Sequence, residues 1–209
     1  IDNELRDFRL GGAELSDADK ATYKALQEEL AGLSTRFGEH LLDATNAWSR
    51  HVADEAELAG LPANTVQRSR QTAEAAGQSG WLLSLDAPNY QAVMTHAESE
   101  TLRREFYEAW VTRASDQGPH AGQWDNSPLM AEILALRSEA ANLVGFSNFA
   151  EYSIATKMAH RTGEVLDFLR DLAVRARPFA EKDIADLRAF ARSELGLATM
   201  EAWDIAYVS

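Results

Sequence analysis

The sequence contains no cysteine, which excludes disulfides and thiolate metal ligands and fits a cytosolic protein. Basic residues are scarce beside acidic ones, 20 against 33, for a net charge of −13. Phosphate groups are bound by basic surfaces, so this balance argues against nucleic acid as a partner and against an anionic membrane. No apolar run approaches the ~20 residues that span a bilayer, and the opening IDNELRDFRL has none of the pattern of a signal peptide. Low-complexity tracts, flexible linkers and repeats of 20 to 50 residues are missing as well, which favours one continuous unit over residues 1–209. No Gly-x-Ser-x-Gly elbow is present, and Gly11-Gly12 lacks the Lys-Ser/Thr continuation of a phosphate loop, so it reads as a turn.

What the chain does have is capped helices with apolar stripes. Residues 125–159 read as a helical hairpin. Ser127 is placed as N-cap and Pro128 at the first helical position, where a missing N–H costs nothing. Leu129, Ile133, Leu136, Ala140 and Leu143 then form one stripe. Gly145 can adopt the left-handed conformation that stops the helix, Phe146 can fold back on its last turn, and Ser147 can cap the next helix. Residues 16–48 form the longest periodic segment, with Ser16 and Asp19 resembling a capping box and apolar residues from Tyr23 to Trp48 at steps of three and four.

Further helices are expected from Pro62 to about Ala76, from Pro88 to about Ala97, and after Ser99, where Leu102, Phe106, Tyr107 and Trp110 make an aromatic face. The last long helix begins at Thr162, with Val165, Leu169, Leu172 and Ala176 on one face and Ile184, Leu187 and Ala191 continuing it; Pro178 is expected to kink or break it. Residues 81–85 are the one strand candidate, needing a partner either within the chain or outside it. Residues 115–126 are a loop, and 197–209 a tail whose partners are expected to be absent. The fold class is all-α: an elongated multi-helix array with at most one small β element around 81–85.

Chemistry is harder to find. The five histidines are His40, His51, His96, His120 and His160, and none lies in a His-Glu-x-x-His frame, which sets two imidazoles on one helix face. His40 with Asp43 and His51 with Asp54 come nearest; on a single helix they would share a face but lie ~16 Å apart, too far for one metal. Acidic pairs such as Asp183 with Asp186 lack matching histidines and read as solvated helix faces. Two segments could touch a peptide substrate: the loop, offering Gln117, Trp124 and Asn126, and residues 203–207 (Trp203 to Tyr207). Packing is the simpler role for both, since most aromatic residues pack.

The segments LLDATNAW (41–48), DEAELAGLP (54–62), TRASDQGP (112–119), WDNS (124–127), ATKMA (155–159), LDFLRDLAVRARP (166–178) and WDIAY (203–207) together resemble the thimet-oligopeptidase-like zinc metallopeptidases. Such a collinear series is far more specific than a single motif. The resemblance implies a cytosolic zinc enzyme that hydrolyses short peptides in a deep channel between helical halves. The family's His-Glu-x-x-His helix and its downstream Glu have no counterpart here. The chain is therefore expected to be an internal, non-catalytic wall of such an enzyme, with no catalytic, cofactor-binding or metal-binding residue of its own; its start at Ile1 and stop at Ser209 fit excision. Its expected partners are short peptides, in the complete enzyme, and the missing catalytic half of the same chain.

A severed wall is expected to expose apolar surface, here at residues 102–110 and 203–208, and to self-associate through it. On composition and periodicity alone, a helical adaptor that offers grooves to partner helices remains the alternative. Metal analysis of the chain after chelation and re-exposure to zinc is predicted to find no stoichiometric metal, and a short fluorogenic peptide is predicted to remain uncut.

Overall fold

The computed structural model describes residues 1–209, of which 68% are helical. The elements in order are α1 (Asp2–Leu10), α2 (Asp17–Ala47), β1 (Ser49–Val52), a 3-10 turn (Glu55–Leu58), α3 (Ala63–Ala75), β2 (Trp81–Ser84), α4 (Ala87–His96), α5 (Glu100–Val111), α6 (Ser127–Leu143), α7 (Phe149–Ile154), α8 (Thr162–Glu194), a second 3-10 turn (Ala202–Asp204) and α9 (Ile205–Val208). The all-α expectation holds, and the β component is one two-stranded antiparallel sheet. Internal contacts gather into two compact units, Ile1–Gly38 with Asn126–Phe179 and Glu39–Asp125 with Ala180–Ser209.

In the first unit, Leu33 of α2 packs on Leu129 and Ile133 of α6, with Leu30, Phe37 and Leu136 around them. The two stripes read from the sequence thus face each other. Ser16 starts α2, its Oγ accepting from Asp19 N–H at 3.2 Å. Asn126, not Ser127, precedes α6, and Asn148, not Ser147, caps α7 by accepting from Glu151 N–H at 3.0 Å. Gly145 does end α6 with φ +87°, and Phe146 N–H donates back to Ala141 O at 2.9 Å, the fold-back that satisfies a terminal carbonyl. Helix α1 was not anticipated from the sequence, and of its residues only Leu10 is buried. It is held instead by Tyr23 Oη donating to Leu10 O at 3.1 Å.

The second unit is built on a larger core. The partner of the 81–84 strand lies within the chain: Ser49 pairs with Ser84 and Val52 with Trp81. Val52, Leu58, Leu83, Leu85, Val93, Leu102 and Phe106 pack beneath this hairpin. Trp48 meets Phe106 edge-on at 4.8 Å, and Tyr90 stacks on Trp110 at 4.3 Å. Asp86 caps α4 by accepting from Asn89 N–H, and Ser99 caps α5 by accepting from Leu102 N–H, as expected of Ser99. Gly60 makes a contact no other residue could: at φ +85°, an added Cβ would lie 2.1 Å from His96 O.

At the centre of this unit Arg103 and Asp204 are both fully buried. Asp204 Oδ1 accepts from Arg103 Nε at 3.1 Å and from Nη2 at 2.7 Å. Nη1 donates to Ala97 O at 2.6 Å and Glu98 O at 3.1 Å, and the guanidinium lies 4.1 Å from the centre of the Tyr207 ring. The other Asp204 oxygen accepts from Glu201 N–H at 3.0 Å.

These contacts correct two expectations. Residues 102–110 and 203–208 are not bared: Leu102 and Phe106 are 1% and 0% exposed, and Val208 is buried. The reason is that they cover each other, Tyr107 meeting Trp203 at 6.2 Å around the Arg103–Asp204 pair. Nor does the 197–209 tail lack partners. Pro178 does not end α8, which runs unbroken through it; having no N–H, it leaves the Val174 carbonyl without its intrahelical donor, a place water can fill by donating.

Removing one member of a buried ion pair strands the other. Asp204→Ala is therefore predicted to destabilise the chain by about 3–5 kcal/mol in chemical denaturation, whereas replacing both residues by apolar ones of similar volume recovers most of that loss. Gly60→Ala is predicted to cost clearly more than Gly77→Ala. Both have positive φ, but a Cβ at Gly77 meets nothing within 4 Å, leaving only the roughly 1–2 kcal/mol of left-handed strain.

Candidate functional site

The 115–126 loop carries the candidates Gln117, Trp124 and Asn126. Gln117 is exposed, and its backbone N–H donates to Ser115 Oγ at 3.2 Å. Trp124 is half-buried, its ring 5.5 Å from that of His120 in an edge contact. Asn126 is buried and donates from Nδ2 to Phe37 O at 3.1 Å, fastening the start of α6 to α2. Its amide is thus engaged with backbone, and Gln117 alone of the three presents a free-standing polar side chain surface.

The 203–207 segment is equally committed. Asp204 is bound to Arg103, Tyr207 stacks on the same guanidinium, and the Trp203 indole Nε1 is buried without a hydrogen-bond partner. These side chains close the core of their unit and do not face a ligand. Arg103 was invisible as a partner in the sequence because Asp204 lies 101 residues away. The available signal was its position three residues before Phe106 on an otherwise apolar stripe of α5, since a cation there must find an acid or carbonyls.

The histidine–aspartate candidates also separate. His40 and Asp43 lie on α2, which ends at Ala47, while His51 lies on β1. His51 Nε2 donates to Ser79 O at 2.6 Å, and Asp54 caps the 3-10 turn by accepting from Ala56 N–H. Nowhere do three or more His, Asp or Glu side chains gather closely enough to hold a metal ion. No chemical step is assigned to a metal here.

The shifted ionisations mostly point the same way. Burial pushes the Tyr23 hydroxyl up beyond its ordinary range, reinforced by its hydrogen bond to Tyr152, and burial likewise raises Tyr90. The hydrogen bond from Arg50 Nε to Glu105 at 2.7 Å, with a second to Glu57 at 2.8 Å, holds the Arg50 guanidinium more firmly protonated. Arg113, 3.4 Å over the Trp110 ring, moves the other way because burial penalises its charge. The tyrosines and Arg50 shift away from neutrality, unlike a general acid or base poised near it.

The most apolar cleft lies in the first unit, about 480 Å³ between α2 and α6, lined by Ser34, Phe37, Met130, Ile133, Leu134 and Arg137. It offers one cation, Arg137, and one hydroxyl, Ser34, on an otherwise apolar wall. No helix is long and apolar enough to cross a membrane.

The architecture these clefts sit in is all-helical apart from one small two-stranded sheet. Residues 93–209 match the profile of peptidase family M3, and the chain belongs to that family. It is 51% identical to oligopeptidase A of Salmonella typhimurium and 46% identical to oligopeptidase A of Haemophilus influenzae, in both cases over the whole of this chain and 31% of the relative. It is 35% identical to a probable cytosolic oligopeptidase A of Arabidopsis thaliana, again over the whole of this chain and 30% of that protein. The chain thus spans about a third of the length of these curated relatives.

If the loop packs as described, Asn126→Ala loses a buried hydrogen bond and is predicted to cost about 1–3 kcal/mol. Gln117→Ala, on the exposed part of the same loop, is predicted to stay within about 0.5 kcal/mol of the parent. Urea denaturation of the two variants checks both.

Proposed function

We propose that this chain is the helical, non-catalytic wall of a cytoplasmic zinc metallo-oligopeptidase that hydrolyses short peptides in a deep channel. The observation that carries the reading is identity along all 209 residues to proteins named oligopeptidase A, at 51% for the Salmonella protein, of which the chain covers only 31%. The lack of any metal-holding cluster among its His, Asp and Glu side chains supports assigning the zinc ligands and the general base to the remaining two thirds of the polypeptide. In this role the chain's residues do not touch the reacting atoms. They hold a rigid surface whose shape limits access, so that flexible short peptides enter and folded proteins do not. The capped helices, the Arg103–Asp204 pair and the aromatic core supply that rigidity.

The test is expression of the gene's complete reading frame. The longer polypeptide is predicted to cleave a short fluorogenic peptide, to lose that activity on chelation, to regain it with zinc, and to leave a folded protein substrate intact. Zinc-independent cleavage, or none at all in a folded longer polypeptide, overturns the reading in favour of a helical interaction module.

A further inference from the structure

Helix α8 (Thr162–Glu194) is unlike every other long element of the chain. Residues 166–183 are exposed without exception, so over these turns no other element lies against the helix. Its sequence is nevertheless two-faced. Val165, Phe168, Leu169, Leu172, Ala176 and Phe179 fall on one helix stripe about 100° wide. Phe168 is 62% exposed, Leu172 45% and Phe179 71%. The stripe carries no charge from Val165 until Asp183. The charges of these turns lie off it, and four of them pair along the helix, Arg170 with Asp167 at 3.4 Å and Arg175 with Asp171 at 2.8 Å.

An apolar stripe about 21 Å long, uninterrupted by charge, has the form of a helix face meant to be covered, although Leu166 and Val174 are also exposed off the stripe. Most helical stability in proteins comes from packing such a face. Burial of core side chains elsewhere in the chain does not reach it.

We propose that this face of α8, from Val165 to Phe179, is an intramolecular docking surface covered by the part of the same polypeptide that lies outside these 209 residues. The inference rests on the reading of the chain as a portion of a longer enzyme. The occupant follows from length: the chain aligns end to end with relatives of which it supplies 31%, so the material able to cover the face belongs to the same molecule. It requires an apolar partner, a helix or loop carrying aliphatic and aromatic side chains, because the stripe offers neither charge nor hydrogen-bonding groups.

Because the chain has no cysteine, single introduced thiols report on the face directly. The variants are Leu172→Cys and Phe179→Cys on the stripe and Arg170→Cys on the polar side. Each is placed in the 209-residue chain and in the complete reading frame, the latter with any other cysteines replaced. With maleimide as probe, positions 172 and 179 are expected to react on the order of tenfold or more slowly in the longer polypeptide than in the short chain, with position 170 equal in both. Hydrogen exchange of residues 166–179 in the two unsubstituted proteins gives the same comparison if a thiol variant does not fold.

Equal reactivity and exchange in both proteins overturns the proposal. So does protection of the short chain that grows with concentration and increases no further in the longer protein, which assigns the face to a second copy, and so does a gene that encodes no further residues. Protection without zinc-dependent peptidase activity upholds the docking surface while the functional reading fails. Activity without protection does the reverse.

Discussion

The buried pair of Arg103 and Asp204 is the interaction on which the second unit depends. Neither charge reaches water, and taking two ions out of solvent is repaid only if every lone pair and proton nearby is used. The arrangement meets that demand by recruiting backbone. The carbonyls of Ala97 and Glu98 accept from the guanidinium, and Glu201 N–H donates to the carboxylate. One side chain of α5 therefore fastens the end of α4 and the C-terminal 3-10 turn at once. The tail is ordered because an uncompensated Arg103 inside the aromatic core would be far costlier than the entropy of fixing a short turn.

Around that pair the unit is closed. The hairpin of β1 and β2 satisfies its own ladder, the loop at Gly60 lies against the backbone of His96, and Trp203 covers the aromatic face of α5. Membership of peptidase family M3 and this close packing are what the proposed supporting role draws on. Of the buried side-chain polar atoms, the Trp203 indole Nε1 is left without a partner.

The first unit presents the opposite case. Its core of Leu33, Leu129 and Ile133 is small, and α8 leaves it to run through solvent with Phe168 and Phe179 uncovered. Apolar area of that kind is stabilising only when removed from water. Within the 102–110 and 203–208 segments Ile205 alone is an exposed large apolar residue, while α8 exposes Phe168, Leu172, Val174 and Phe179. Aromatic density marks where burial is worth most, and within a folded chain such segments are the first to find each other.

By itself the sequence determined the helices, their caps and stops at Ser16, Ser99 and Gly145, and the short strand at 81–84. Each follows from periodicity or from a backbone preference local to a few residues. The collinear motifs that carried the resemblance to a peptidase family were legible for the same reason: they are strings, not shapes. The sequence reading missed α1, whose Leu5 and Phe8 stay exposed, and chose Ser127 over Asn126 and Ser147 over Asn148, neighbours with similar capping chemistry. Only the tertiary structure decided that β2 pairs with 49–52, that His51 leaves the helix of His40, and that Asn126 serves Phe37 O instead of a ligand. It alone joined Arg103 to Asp204 across 101 residues. Long-range pairing depends on which surfaces meet once chain entropy has been overcome, and nothing in the spacing of residues along a helix encodes that partner.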